Sequence, residues 1–145
     1  MNIKHTLRLI GIALFLTSAA RLPAADGYAI VVSKTTHAHA DWAPVVEALC
    51  SKHDGIVIEY EHSLSESLPA LQKAFPKDTC IVAKPEEAGR AFVAAAHRLT
   101  RQLDADPYPD TIWAIVTGYE PADALRIAKH AEPLAVKRAL PGTVG

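Results

Sequence analysis

Two histidines and an aspartate form the only group in this sequence that has the spacing of metal ligands. His37 and His39 alternate along the chain, and Asp41 follows at the same interval. Because alternate side chains of an extended segment point to one side, both imidazoles could face one ion, and a carboxylate could complete the site. Asp41 is also well placed to cap the helix predicted after it. A metal site on the two histidines and a solvated loop therefore both stay open as interpretations.

A second set of polar side chains follows the predicted strands at their carboxyl ends. Open α/β sheets bind ligands at that edge, so we predict that this rim holds a small polar ligand or contacts a neighbouring subdomain. The rim consists of Ser33, Lys34, Thr35, Lys84, Glu86, Thr117 and Tyr119. The sequence contains no glycine-rich phosphate loop and no Gly-x-Ser-x-Gly elbow, and it predicts no cofactor.

Two cysteines are the candidates for a reactive thiol or a disulfide. Cys50 falls on the apolar face of a predicted helix near its C-terminus, where the helix dipole disfavours a thiolate. Cys80 falls inside a predicted strand. Buried, inert thiols are one interpretation. A disulfide is the other, because a helix antiparallel to its sheet brings its C-terminal end to the level of the strands' N-terminal ends, and an oxidising compartment permits the bond.

Four apolar runs alternate with helical patterns along the chain. The runs predict strands at 28–32, 56–60, 79–83 and 111–116. The predicted helices follow Asp41, open with a capping box at Ser63 and Glu66, run from Pro85 to Leu103, and run from about Pro121 to Ala131. This alternation predicts a doubly wound α/β domain with a mainly parallel four-stranded sheet in the flavodoxin-like order 2-1-3-4 and helices on both faces.

The outer side of the third predicted helix carries a row of basic residues. Its members are Arg90, His97, Arg98 and Arg101. Such a row is typical of a solvated helix face, and an anion site is the alternative interpretation.

The N-terminus has the three parts of a secretory signal peptide. Basic residues precede an apolar run at 9–16, and small residues follow it. The run is too short for a bilayer, which needs about 20 residues. We therefore predict a signal peptide at 1–25, cleaved after Ala25 or, as second choice, after Ala20, and an α/β domain at 26–145. A permanently anchored N-terminus is the alternative. The prediction places the protein outside the cell or in the periplasm.

Composition excludes several classes of partner. Hydrophobic residues make up 50% of the chain and the formal net charge is -1, as in an ordinary globular domain. No basic stretch indicates nucleic-acid binding or attraction to an anionic membrane, and we expect no membrane contact after signal cleavage. A further strand is predicted to begin at 134–140. This segment is either an edge strand or the point where a larger protein continues.

Three stretches, in this order, carry a resemblance to a known family. They are residues 28–33 (YAIVVS), residues 84–90 (KPEEAGR), and Pro109-Asp110 followed by residues 112–119 (IWAIVTGY). The pattern resembles the N-terminal α/β subdomain of secreted gingipain-type cysteine peptidases and their uncharacterised bacterial relatives. In such peptidases a polar residue follows the glycine after the last strand, and Tyr119 stands in that place. The resemblance implies a Cys thiolate that attacks a peptide carbonyl with a His as proton carrier. Both belong to the following subdomain, so no residue here receives a catalytic role.

The sequence leaves three functions open. The first is a noncatalytic N-terminal subdomain of a gingipain-like peptidase or relative, whose partner is the following subdomain of the same protein. The second is a stand-alone extracytoplasmic module that binds a small ligand or a protein at the carboxyl edge of the sheet. The third is a metal-dependent hydrolase that uses His37 and His39.

Overall fold

The computed structural model describes residues 27–131, which form four strands and five helices. The elements are β1 (Tyr28–Ser33), α1 (Lys34–His37), α2 (Ala43–His53), β2 (Ile56–Tyr60), a short 3-10 turn (Leu64–Ser67), α3 (Leu68–Ala74), β3 (Asp78–Val82), α4 (Arg90–Leu99), β4 (Ile112–Val116) and α5 (Pro121–Lys129). The predicted signal peptide at 1–25 and the predicted strand at 134–140 lie outside the described residues.

The strands form one parallel sheet in the order β2-β1-β3-β4, as the alternation of strands and helices predicted. The two central strands are buried on both faces, which explains why their sequences are almost continuously apolar. The outer strands β2 and β4 expose several of their residues. Among residues 27–131, the sheet therefore has a closed centre, and no strand pairs with the outer side of β2 or of β4.

Helices cover both faces of the sheet. On one face, α2 and α5 lie side by side and pack on alternate residues of the strands, among them Ile30 and Val82. On the other face, the 3-10 turn, α3 and α4 pack on the intervening residues, among them Val31 and Ile81. This two-layer covering is the doubly wound arrangement that the sequence predicted. No helix among residues 27–131 is long and apolar enough to cross a membrane.

The helix after β3 is shorter than its predicted range, 85–103. The Lys84 carbonyl accepts hydrogen bonds from the backbone N–H groups of both Glu87 and Ala88, so the chain makes a tight turn before α4 begins. At the other end, the Thr100 hydroxyl donates to the Ala96 carbonyl, 3.1 Å away, and the helix ends at Leu99. Local turns at both ends therefore replace helix that the apolar spacing alone had predicted.

Asp41 does not cap α2, and this prediction was wrong. The residue at the N-cap position is Trp42, and no side chain makes a capping hydrogen bond there. The indole of Trp42 is 3% exposed and lies in the core beside α2 and the sheet. The apolar contact of Trp42, together with a proline in the first turn, takes the place of the expected carboxylate.

Candidate functional site

A carboxylate fills the centre of the sheet's carboxyl edge. The strands that follow β1 in sequence lie on opposite sides of it, β2 on one side and β3 on the other. Open α/β sheets bind their ligands at the point where the strand order reverses in this way. Here Glu87, in the loop after β3, occupies the position. Its carboxylate accepts hydrogen bonds from the Ser33 hydroxyl (2.8 Å), the Thr36 hydroxyl (2.7 Å) and the Lys84 backbone N–H (2.8 Å). The protein thus supplies its own anion at the point where an open fold would receive one.

Ser33 and Thr36 are positioned for Glu87 by the start of α1. The Ser33 oxygen accepts a hydrogen bond from the Thr36 backbone N–H at 3.1 Å and caps the helix. Both residues are almost fully buried, at 3% and 0% exposure. Because one serine hydroxyl both caps α1 and donates to Glu87, the end of β1, the first helix and the loop after β3 are joined into one rigid unit.

Beside this unit lies a cavity of about 370 Å³, between the ends of β1 and β2 and the first part of α4. Ser33, Thr35, Tyr60 and Glu87 give it a polar floor, and Phe92 contributes an apolar wall. Burial, and then the negative charge of Glu87, raise the pKa of Tyr60 to about 12. The phenol is protonated at neutral pH and can donate a hydrogen bond to a group in the cavity. This cavity offers hydroxyls and a carboxylate, which suit a small polar or cationic group.

The residues of the predicted rim do not come together at one site in the structure. Of the seven residues of the predicted rim, only Ser33 and Thr35 line this cavity. The Lys34 ammonium turns outward to the Glu61 carboxylate, 2.8 Å away. The Lys84 ammonium lies 3.6 Å from the Glu86 carboxylate, which is exposed. Lys84 thus reaches the centre of the edge through its backbone N–H and not through its charge.

Thr117 and Tyr119 lie at the far end of the edge, after β4. The Tyr119 side chain is 95% exposed. The Thr117 hydroxyl is buried and has no hydrogen-bond partner among the described residues. The ligand-binding role of the predicted rim stays a prediction. The residue that organises this edge, Glu87, was missed, although its neighbour Glu86 was chosen.

Among residues 27–131, His37 and His39 are not brought together with a third metal ligand. His37 is the last residue of α1, so the extended conformation that the sequence predicted for this segment was wrong. Its Nδ1 lies 2.6 Å from the Glu59 carboxylate, whereas Nδ1 of His39 lies 3.9 Å from the Asp41 carboxylate. The metal role of the two histidines stays a prediction without geometric support.

Within residues 27–131, the single group of three possible ligands with mutually close atoms is Asp104, Asp106 and Asp110. Each of these carboxylates accepts a hydrogen bond from a backbone N–H of the same loop, at 2.7 to 2.9 Å. These hydrogen bonds account for the three aspartates as supports of the loop before β4.

Both cysteines are free thiols, so the disulfide considered from the sequence is not formed. The Cys50 thiol donates to the Gly55 carbonyl at 3.1 Å, beyond the end of α2. Cys80 is 2% exposed in the middle of the sheet, and burial raises the pKa of its thiol to about 11. Since the thiolate is the reactive form, Cys80 is unsuited to act as a nucleophile.

We expect Cys80 to be modified by iodoacetamide at pH 8 at least about 100-fold more slowly in the folded chain than in urea, because both its burial and its raised pKa suppress the thiolate. Mass spectrometry of tryptic peptides over time measures this rate. The Cys50→Ser variant isolates the reaction of Cys80. Equal rates with and without urea would show that the thiol is accessible and contradict its placement in the core.

The described residues contain no pairing of a nucleophilic side chain with a histidine. No serine, threonine or cysteine side chain among them is hydrogen-bonded to a histidine side chain. The histidine contacts found are those of His37 with Glu59, of His39 with Asp41, and the ring contacts of His53 with Tyr28 and of His97 with Trp113. Comparison of the chain with protein-family models, with curated proteins and with solved structures found no match.

Proposed function

We propose that this chain is a noncatalytic N-terminal α/β subdomain of a secreted gingipain-like cysteine peptidase or relative, and that it scaffolds a catalytic half absent from the chain. The observation that carries the proposal is the closure of the sheet's carboxyl edge by Glu87. An anionic ligand at this position would need free hydrogen-bond donors, whereas here three protein donors already hold the Glu87 carboxylate.

The chemistry of the remaining side chains supports the same proposal. Cys80 is buried with a raised pKa, and Cys50 hydrogen-bonds to a backbone carbonyl. Neither thiol has a hydrogen-bonded histidine in the part of the chain that the structure describes. A cysteine peptidase needs a histidine as proton carrier beside its thiol. The peptidase chemistry that the family resemblance implies would then come from the other half of the protein.

The proposal predicts that the purified chain cleaves no peptide bonds. Incubation with a mixed peptide library, followed by mass spectrometry, should give the same peptides with and without the chain. Cleavage that disappears in the Cys50→Ala or Cys80→Ala variant would overturn the proposal, because it would assign the nucleophile to this chain. Cleavage retained in both variants would also contradict the noncatalytic role, and it would exclude both thiols as the nucleophile.

The second candidate is a stand-alone extracytoplasmic binding module, favoured by the cavity of about 370 Å³ beside Glu87. A ligand bound there would raise the melting temperature of the chain. Small polyols, amines and peptides are suitable probes, because the cavity floor carries hydroxyls and a carboxylate. Translation of the reading frame beyond codon 145 separates the two candidates. A second α/β unit with a His and a Cys favours the scaffold, and a stop codon favours the binding module.

A further inference from the structure

The outer edge of β4 carries backbone groups that have no partner strand in the part of the chain that the structure describes. The Ile112 N–H donates to the Lys77 carbonyl and the Val116 carbonyl accepts from the Ala83 N–H, so both residues direct their backbone toward β3. Residues of a parallel strand alternate between its two sides, which directs the N–H and C=O groups of Trp113 and Ile115 outward. Among residues 27–131, no strand pairs with this side of β4. These outward groups can receive another strand.

The side chains around this edge are apolar. Ile112 is 68% exposed and Val93, on the neighbouring α4, is 42% exposed. Between α4 and β4 runs a groove of about 570 Å³, lined by Val93, Ala94, Trp113 and His97, whose ring meets that of Trp113 edge to face at 6.4 Å. Natural proteins usually protect a sheet edge with charges, prolines or bulges. The sequence of β4, IWAIV, contains no charged residue and no proline.

Two arginines border the groove. Arg90 and Arg98 both line it, and neither guanidinium has a hydrogen bond or an ion pair with another described residue. The rim is therefore positively charged, while the floor is apolar. A partner that fits this surface presents apolar side chains flanked by carboxylates.

The chain's own segment after α5 is a poor fit for this edge. The crossover from β1 to β2 runs over the face covered by α2, and the crossover from β3 to β4 runs in the opposite direction over the face covered by α4. Because α5 lies on the α2 face, a strand that continued from α5 to the outer side of β4 would need the rare left-handed crossover. The segment 134–140 also contains Lys137 and Arg138, which carry the same positive charge as Arg90 and Arg98 on the rim.

A second copy of the chain fits no better. Two-fold antiparallel pairing of β4 with itself would place both α4 helices on the same side of the joined sheet. Arg90 and Arg98 of one copy would then face the same arginines of the other copy across the groove. This arrangement sets like charges against each other and provides no carboxylate to neutralise them.

We propose that the outer edge of β4, with the groove beside α4, is the docking surface for an apolar β-strand flanked by carboxylates. The strand would pair with the outward backbone groups of Trp113 and Ile115, and its carboxylates would meet Arg90 and Arg98. This inference rests on the proposed function for the identity of the partner, which is the catalytic half. The outer edge of β4 is then the surface that holds the catalytic half.

Amide hydrogen exchange of the full chain, resolved by residue with NMR, tests the proposal. In the chain alone, the Trp113 and Ile115 amides should exchange fast, and the Ala114 amide, which points to β3, should exchange slowly. The probe is a short synthetic strand of alternating valine and threonine with glutamates at both ends. At low salt it should slow exchange at Trp113 and Ile115 by about tenfold or more. The matched peptide with lysines at both ends should cause no slowing.

Two variants make the test specific. Reversal of the rim charges by Arg90→Glu with Arg98→Glu should transfer the protection from the glutamate peptide to the lysine peptide. The Ile115→Pro variant removes one outward N–H and should abolish binding of the glutamate peptide. The Ile115→Ala variant loses a comparable side chain but keeps its N–H, and should still bind.

Each alternative outcome overturns the proposal in a recognisable way. Protection of Trp113 and Ile115 in the chain alone, independent of concentration, would assign the edge to the chain's own segment. Protection that grows with protein concentration would assign it to a second copy. Equal effects of the two peptides, or no effect of either, would refute the charged docking surface. None of these results concerns peptidase activity, so failure here is distinguishable from failure of the proposed function.

Discussion

Replacement of Glu87 by alanine should lower the free energy of unfolding by about 2–3 kcal/mol, because the variant loses three hydrogen bonds to a charged acceptor. The Thr36 hydroxyl is the most affected donor, since this residue is fully buried and cannot turn to water. Urea denaturation followed by circular dichroism gives the value. We expect the midpoint to shift while the slope of the transition stays unchanged, because the surface exposed on unfolding is the same.

The neighbouring glutamate supplies the matched control. Glu86 is exposed, and its carboxylate lies 3.6 Å from the Lys84 ammonium, so Glu86→Ala should change stability by less than about 0.5 kcal/mol. The Glu87→Gln variant keeps the shape of the side chain but loses its charge, and should fall between the two alanine variants. Equal effects of Glu86→Ala and Glu87→Ala would contradict the role of Glu87 in closing the edge.

The architecture was predictable because its signals are local. Residues 28–32 and 79–83 are apolar at nearly every position, which indicates strands buried on both faces. The capping box at Ser63 and Glu66 is present, since both of its residues lie within one turn. Alternation of such strands with helices leaves few topologies, and the order β2-β1-β3-β4 is among the commonest.

The candidate site was not predictable in the same way, because its contacts join distant parts of the chain. Glu87 lies 54 residues from Ser33 and 51 from Thr36, and nothing in the sequence around it distinguishes it from Glu86. A polar residue near a strand end is easily assigned to the rim of a sheet. Which side chain points to the centre depends on the local turn that the backbone makes after Lys84 and on the tertiary hydrogen bonds from Ser33 and Thr36 that Glu87 accepts there.

The position of β4 at the edge of the sheet was not predictable from the sequence for a related reason. Its sequence, IWAIV, has the same character as the central strands, so it predicts a strand but not its place at the edge. Only the order of strands shows that one side of β4 has no partner strand among residues 27–131. In a central strand, an isoleucine such as Ile112 would pack in the core. In β4 its side chain is 68% exposed.

Replacement of Trp42 by alanine should have the largest effect on stability, a loss of about 3–5 kcal/mol in the free energy of unfolding. The indole is 3% exposed and packs in the core cluster beneath α2 and α5, and its removal leaves a cavity there. Thermal unfolding monitored by circular dichroism measures the loss. If the variant does not fold, Trp42→Phe provides the measurable version, with a smaller destabilisation in the same direction.

The adjacent residue separates two explanations for the start of α2. If a carboxylate cap stabilised the helix, Asp41→Ala would cost about 1 kcal/mol, as losing a capping side chain usually does. In the structure the Asp41 carboxylate is 72% exposed and lies 3.9 Å from the His39 ring, so we expect a change below about 0.5 kcal/mol. A large effect of Asp41→Ala together with a small one of Trp42→Ala would restore the cap predicted from the sequence. If the buried indole of Trp42 stabilises the start of α2, Trp42→Ala should destabilise the chain more than Asp41→Ala does. Packing of an apolar side chain then replaces the capping hydrogen bond.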